Sequence, residues 1–434
     1  MTSRPLDHLR PSDIRGIARL AAQATEGVTD IVEGVHRSVW TSIGAPGGAV
    51  PGRTRGITGL VYRTVRGVTR VVASGTDFAL AQLQPFIDAA EGDKGETPQR
   101  EAVFAALNGV MGDRLAADGH PFAIPMTLRC RGETLSLRTG LSIPEPTGKI
   151  LLLIHGLCMT DHQWRTRSAD RVVDHGESLA AALGSTPIHL RYNSGLHVSE
   201  NGRQLTNLLE HLTEKWPTAT EELTVVAHSM GGLVIRSAIQ EAKRTGLHWP
   251  DRLKSIVFLG TPHHGAPLER AGSWVDGVLA ATPYTAPFAK LGRLRSAGIT
   301  DLRFGHVLDD DWRGRDRFSR GPDDRAIVPL PEGVACYAVA ASTAPRSSAL
   351  ADRLIGDGLV PLSSALGRHD DPRRCLAFPE TSQLVVHRTN HLGLLSHPEI
   401  TEKLVGWLAE DRSHRGERPT AVPSQSGKKS SELP

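Results

Sequence analysis

Apolar residues fall at Ile14, Ile17, Ala21, Ala24, Val28, Ile31, Val35 and Val39, in the steps of three and four that one helix face requires. The stretch SIGAPGGAVPG over 42–52 breaks this pattern, and a second amphipathic run passes through Ile57, Val61, Val65, Val68 and Val72 towards Phe78. A helical hairpin is predicted. A third helical pattern over 101–116 aligns Phe104, Leu107, Met111 and Leu115 and closes an N-terminal helical region of residues 1–118.

From Pro121 the periodicity changes. PFAIPMTLRC (121–130) and ETLSLRTGLSI (133–143) read as extended runs, and KILLLIHG, ending at Gly156, is apolar almost throughout, as a strand buried on both faces of a parallel sheet must be. Further strands are predicted at 187–193, 222–229, 255–261, 334–342 and 375–380, with helices over 202–215 and 231–242 between them. Strands alternating with helices define an α/β fold, a doubly wound and mostly parallel sheet over residues 119–411. The tail RSHRGERPTAVPSQSGKKSSELP after Asp411 is polar and aperiodic, and residues 412–434 are expected to be disordered.

Composition changes this picture little. With 39% hydrophobic and 22% charged residues the 434-residue chain is that of an ordinary folded protein, and a net charge of +3 carries no field that would favour nucleic acid. Over residues 1–75, however, ten arginines face five carboxylates, so this segment favours an anionic surface. Its hairpin either packs on the rest of the protein or lies with its apolar face in a lipid surface, a peripheral membrane contact through residues 14–80. Cys130, Cys158, Cys336 and Cys375 show no metal-ligand spacing and read as buried free thiols. No apolar stretch reaches the ~18 residues of a membrane span and the N-terminus carries no leader-like segment, so a cytoplasmic location is expected.

The sharpest chemical signal is AHSMGG at 227–232, directly after the strand LTVVA and directly before the helical run LVIRSAIQEA. A tight strand-to-helix turn needs small residues two before and two after its serine, and Ala227 and Gly231 supply them. Such a turn lifts the Ser229 hydroxyl above the sheet edge and aims the Met230 N–H, at a helix N-terminus, towards a developing oxyanion.

This stretch resembles the GHSMGG elbow of α/β-hydrolase lipases and esterases, with alanine in place of the first glycine. Further motifs extend the resemblance over about residues 120–410. LLLIHGLCMTDHQW is similar to the HG-containing loop of lipases, which assigns the second oxyanion N–H to Leu157. IGDGLVPLSSAL resembles their D-G-x-V-P acid loop and implies Asp357 as the acid, with Asp352 and the run Asp309, Asp310 and Asp311 as competitors. NHLGLLSHP is similar to a segment of lipases related to the inositol-deacylase group and implies His391 as the base, with His387 and His397 nearby. His228, beside the serine, is expected to pack beneath the elbow.

GTPHHGAP (260–267) also recurs in lipases; without a matching carboxylate spacing, His263 and His264 are expected to shape the pocket wall and to bind no metal. Residues 267–332, with Trp274, Phe288 and Phe304, are expected to form a lid. Together these features predict a serine hydrolase that cleaves a carboxylic ester, such as an acylglycerol or other lipid ester, through an acyl-enzyme on Ser229 and without a cofactor. An acyltransferase using the same triad, or a lipid-surface binding protein with a hydrolase fold, are the alternatives.

Overall fold

The computed structural model describes residues 98–137, 140–168, 171–266, 295–317, 323–345 and 356–416. The hairpin predicted before residue 98 and residues 267–294 and 318–322 of the expected lid lie outside them. An eight-stranded sheet organises the chain. Its strands are β1 (Thr127–Cys130), β2 (Glu133–Thr134), β3 (Lys149–Ile154), β6 (Thr186–Arg191), β7 (Glu222–His228), β8 (Leu253–Leu259), β9 (Ala335–Ser342) and β10 (Gln383–His387). They lie in the order β10-β9-β8-β7-β3-β6-β1-β2, with β1 antiparallel to its neighbours and β3, β6, β7, β8, β9 and β10 parallel. A separate antiparallel hairpin, β4 (Arg165–Ser168) with β5 (Arg171–Asp174), follows the loop after β3.

The apolar run of β3 still obeys the two-residue period of a strand. Ile150, Leu152 and Ile154 enter one core layer and Leu151 and Leu153 the other. The first layer is covered by helices α1 (Pro98–Ala117), α3 (Val198–Lys215) and α4 (Met230–Thr245), through residues such as Val110, Leu205, Leu209, Leu233 and Ile239. The second is covered by α2 (His175–Leu183) and the C-terminal helix, through Leu179, Leu183, Ile400, Leu404 and Trp407. With α5 (Ala297–Asp301) and α6 (Leu362–Ala365) counted, that last helix is α7 (Pro398–Gly416). It runs past Asp411, where the sequence predicts order to end. Among the described residues no helix is long and apolar enough to cross a membrane.

From β3 the chain passes outward to β6 and then crosses back to β7 on the other side of β3. The winding therefore reverses between β3 and β7, and the loops at their C-terminal ends are left side by side, where open α/β sheets place their sites.

The strand predicted over 375–380 is not formed. Pro379 cannot donate to a ladder, and Leu376 and Phe378 turn into the core, with Phe378 edge-on to Phe258 at 5.9 Å. The edge position is taken by β10, paired in register with β9 from Gln383–Ala338 to His387–Ser342. The run 121–130 also shortens to Thr127–Cys130. The Phe122 and Ile124 amides are bonded to His120 Nδ1 and Asn108 Oδ1, and both side chains pack on α1. Of the four cysteines Cys130, Cys158 and Cys336 are buried as expected, whereas Cys375 is exposed; all four are free. Leaving the strand for the surface is what exposes Cys375.

Candidate active site

Strand β7 ends at His228 and α4 begins at Met230, so Ser229 is the whole turn, with φ 54° and ψ −124°. A left-handed φ is costly for a residue with a Cβ and persists only where surrounding contacts fix it. Here the Ser229 amide donates to Leu259 O at 2.8 Å and its carbonyl accepts from Gly232 at 3.0 Å. The small neighbours have a concrete reason: a Cβ on Gly231 would sit 2.7 Å from the carbonyl oxygens of Ile154 and His155, and one on Gly232 would overlap the Thr261 side chain. Opposite, Gly156 brings its backbone to the serine, for a Cβ there would lie 3.0 Å from Ser229 Cβ.

His391 and Asp357 arrive from two loops at the same sheet edge. After β10 the chain turns through Arg388 and Thr389, whose amides donate to Ala344 O and Ser342 O, and the His391 amide donates to Asp357 O at 3.1 Å. Asp357 Oδ1 accepts from the amides of Leu359 and Val360 at 2.9 and 2.8 Å, which leaves Oδ2 for His391 Nδ1 at 2.6 Å. Glycine at 260 makes room for the ring: a Cβ there would be 3.0 Å from His391 Cε1. Donation from Nδ1 leaves Nε2 as the basic nitrogen. Both His391 Nε2 and Ser229 Oγ are buried without a hydrogen-bond partner among the described residues. Ser229, Asp357 and His391 are 1%, 2% and 2% exposed.

The competing residues are placed elsewhere. His387 closes β10 and His397 directly precedes α7. His228 is fully buried under the elbow and contacts His391 O through Nε2 at 3.2 Å; burial pushes its pKa well below the ordinary value. Asp309 is engaged by Ser199 and Arg203, and Asp311 by the amides of Val307, Leu308 and Ala326. Asp352 lies outside the described residues.

The loop after β3 is held open towards the serine. His155 stacks on Tyr192 at 4.3 Å, its carbonyl accepts from Tyr192 Oη at 2.9 Å, and burial lowers its pKa to about 4. The Cys158 amide, next to Leu157, donates to Ser194 Oγ at 3.0 Å, and Met230 is the first residue of α4. Burial raises the Cys158 thiol to about 12, which removes it as a nucleophile. Tyr192 and Ser194 were not singled out from the sequence, although Tyr192 lies in the strand predicted over 187–193 and Ser194 directly follows it.

His263 and His264 face guanidinium groups: Arg236 Nη1 is 3.3 Å from His263 Nδ1 and Arg325 Nη2 is 2.7 Å from His264 Nδ1. Burial and these cations keep both rings neutral, His264 with a pKa lowered to about 4. Among the described residues no group of three His, Cys, Asp or Glu side chains is arranged to hold a metal ion.

A reversed winding at β3 and β7, a left-handed serine between strand and helix, and an acid and a histidine on later loops define an α/β-hydrolase fold. Residues 145–313, a span that holds the Leu157 loop and the elbow, match the family model of the PGAP1-like alpha/beta domain. No curated protein matches the chain. Among solved structures, the mature form of the Bacillus licheniformis lipase BlEst2 is 17% identical with a TM-score of 0.39, over 65% of this chain and 97% of the lipase. Aspergillus fumigatus lipase B is 13% identical with a TM-score of 0.37, over 63% of this chain and 57% of its own. The Pyrococcus furiosus esterase Pf2001 is 13% identical with a TM-score of 0.36, over 62% and 81%.

Proposed function

We propose that the protein is a serine hydrolase of carboxylic esters, with Ser229 as nucleophile, His391 as general base and Asp357 as the acid that orients it. One observation carries the reading: Asp357 holds His391 through Nδ1, while His391 Nε2 and the Ser229 hydroxyl are left as buried polar atoms without partners. Such atoms are expensive to bury unless they serve another purpose.

In the proposed cycle Ser229 Oγ bonds to the ester carbonyl carbon as its proton passes to His391 Nε2, and Asp357 stabilises the imidazolium. The carbonyl electron pair moves to oxygen, where the Leu157 and Met230 amides receive it; each such donor is worth about 3 kcal/mol in related sites. Breaking the bond to the alcohol returns the proton to the leaving oxygen and leaves an acyl-enzyme. Water then repeats the sequence and releases the acid. A lipid or acylglycerol ester is the proposed substrate, with residues 267–332 as the lid. The amphipathic, arginine-rich residues 14–80 would dock at the anionic surface that carries it. Four free thiols support a reducing, cytoplasmic setting.

The test is fluorophosphonate labelling of wild type and Ser229→Ala, followed by hydrolysis of p-nitrophenyl esters of increasing acyl length. Labelling that disappears in the variant, with a rate that rises towards long chains, supports the reading. A folded wild type that neither labels nor hydrolyses any ester overturns it.

A further inference from the structure

Helix α1 belongs by sequence to the N-terminal region, yet its contacts are with the loop that carries Leu157. Gly109 lies so close to Cys158 that a Cβ there would overlap the Cys158 sulfur and reach its backbone at 3.0 Å. Gly112 makes the same kind of approach to Asn193, whose Nδ2 donates to Gly112 O at 2.9 Å. A break in helical geometry at Met111, with φ −142°, lies between these two glycines. The helix thus meets the 156–160 and 193–195 segments backbone to backbone.

One turn from its start α1 carries Glu101, which is fully buried. Its carboxylate accepts from Arg129 Nη1 of β1 at 3.1 Å and from Arg191 Nη1 of β6 at 3.0 Å, and it meets His162 Nε2 at 2.5 Å. Arg129 also reaches Asp161 at 3.2 Å. Asp161 and His162 open the short helical turn Asp161–Trp164, capped by Thr160, that ends the loop after β3. Tyr192 and Ser194 fix the first half of that loop; this ionic knot fixes the second. A buried carboxylate among two guanidinium groups and an imidazole is held in one geometry, because any shift would leave a charge unpaired.

We propose that Glu101 is a positioning residue that, through Arg129, Asp161 and His162, sets the place of the 155–164 loop and so of the Leu157 amide. The inference rests on the reading of Leu157 as an oxyanion donor. It makes α1 a working part of the hydrolase unit, which then begins with that helix at Pro98 rather than after residue 118. Nothing in the proposed cycle uses Glu101 directly.

The experiment compares full-length wild type, Glu101→Gln, Glu101→Asp and His162→Gln by ester kinetics and by hydrogen exchange of peptides covering 155–164 and 222–245. A misplaced oxyanion donor lowers kcat on the order of 10- to 100-fold while KM stays within about twofold. That split is expected for Glu101→Gln, with a smaller loss for His162→Gln, partial recovery in Glu101→Asp, and faster exchange in 155–164 but not in the elbow. An unchanged kcat in folded Glu101→Gln, or exchange that rises equally in both regions, overturns the proposal. If Glu101→Gln does not fold, His162→Gln decides it by the same two readouts, since its ring is partly exposed. A wild type inactive on every ester sinks the functional reading alone; the exchange comparison still judges the brace, and unchanged protection of 155–164 in the variants rejects it.

Discussion

Tyr192 stacks on His155 at 4.3 Å and donates its hydroxyl to the His155 carbonyl at 2.9 Å, so the residue after β6 fixes the first residue after β3. Both rings are buried, with Tyr192 and His155 each 1% exposed. In Tyr192→Phe the stack survives and the carbonyl loses its partner. The expected cost is about 1 kcal/mol of stability and a several-fold fall in kcat, read by denaturant unfolding and ester kinetics. Wild-type values on both counts would show that this hydrogen bond does not help hold the loop.

The triad variants should differ in a defined order. Ser229→Ala and His391→Ala are each expected to lower kcat by about 10⁴- to 10⁶-fold with the thermal midpoint little changed, and Asp357→Asn by somewhat less, because the asparagine still occupies the site but no longer favours the right tautomer. Full activity in either of the first two would end the assignment.

Acid should loosen the fold through histidines held neutral. Burial lowers the His155 pKa to about 4 and depresses those of His228 and His263 well below their ordinary value. All three return to about 6.5 on unfolding. Between those values the unfolded chain binds more protons than the folded one, so stability is fully present above about pH 6.5 and is lost as pH falls towards 4. For His155 alone the difference is on the order of 3 kcal/mol. His162 acts in the opposite sense: Glu101 raises its pKa, and its contribution is lost as pH rises through that raised value. A thermal midpoint that stays flat between about pH 7 and pH 4 would refute the first of these effects.

Truncation should separate the N-terminal region into two parts. Removing residues 1–97 leaves Glu101 and its partners in place, and the shortened protein should still cleave soluble short-chain esters while losing any affinity for anionic vesicles. Removing residues 1–117 takes away the core residues Ala106 and Val110 of α1 together with Glu101 at the centre of the ionic knot, and should give an insoluble or inactive product. Equal activity of the two truncations would show that α1 is dispensable.

Strands whose both faces are buried were legible because their sequence is apolar almost throughout, as in ILLLI of KILLLI and VVA of ELTVVAH. The elbow was legible because its geometry restricts side-chain size at fixed offsets from Ser229. The edge was not: CLAFPE and QLVVH look alike as short apolar runs, and only the placement of Pro379 and the pairing with β9 separates them. Glu101 was invisible for a different reason. In sequence it is an ordinary acid in the first turn of a helix, while its partners Arg129 and Arg191 lie 28 and 90 residues further on. Local periodicity carries no information about ionic contacts made across such separations.

Ser229 adopts φ 54°, a backbone angle that glycine accepts more easily than any residue with a side chain. Such a conformation costs about 1–3 kcal/mol in a non-glycine residue. Ser229→Gly, which removes the hydroxyl and relaxes the turn, should therefore melt at a higher temperature than the wild type while cleaving nothing. Under the proposed function the sturdiest sequence and the reactive sequence differ at this one position, and a screen for thermal resistance alone would steadily select proteins that have lost their chemistry.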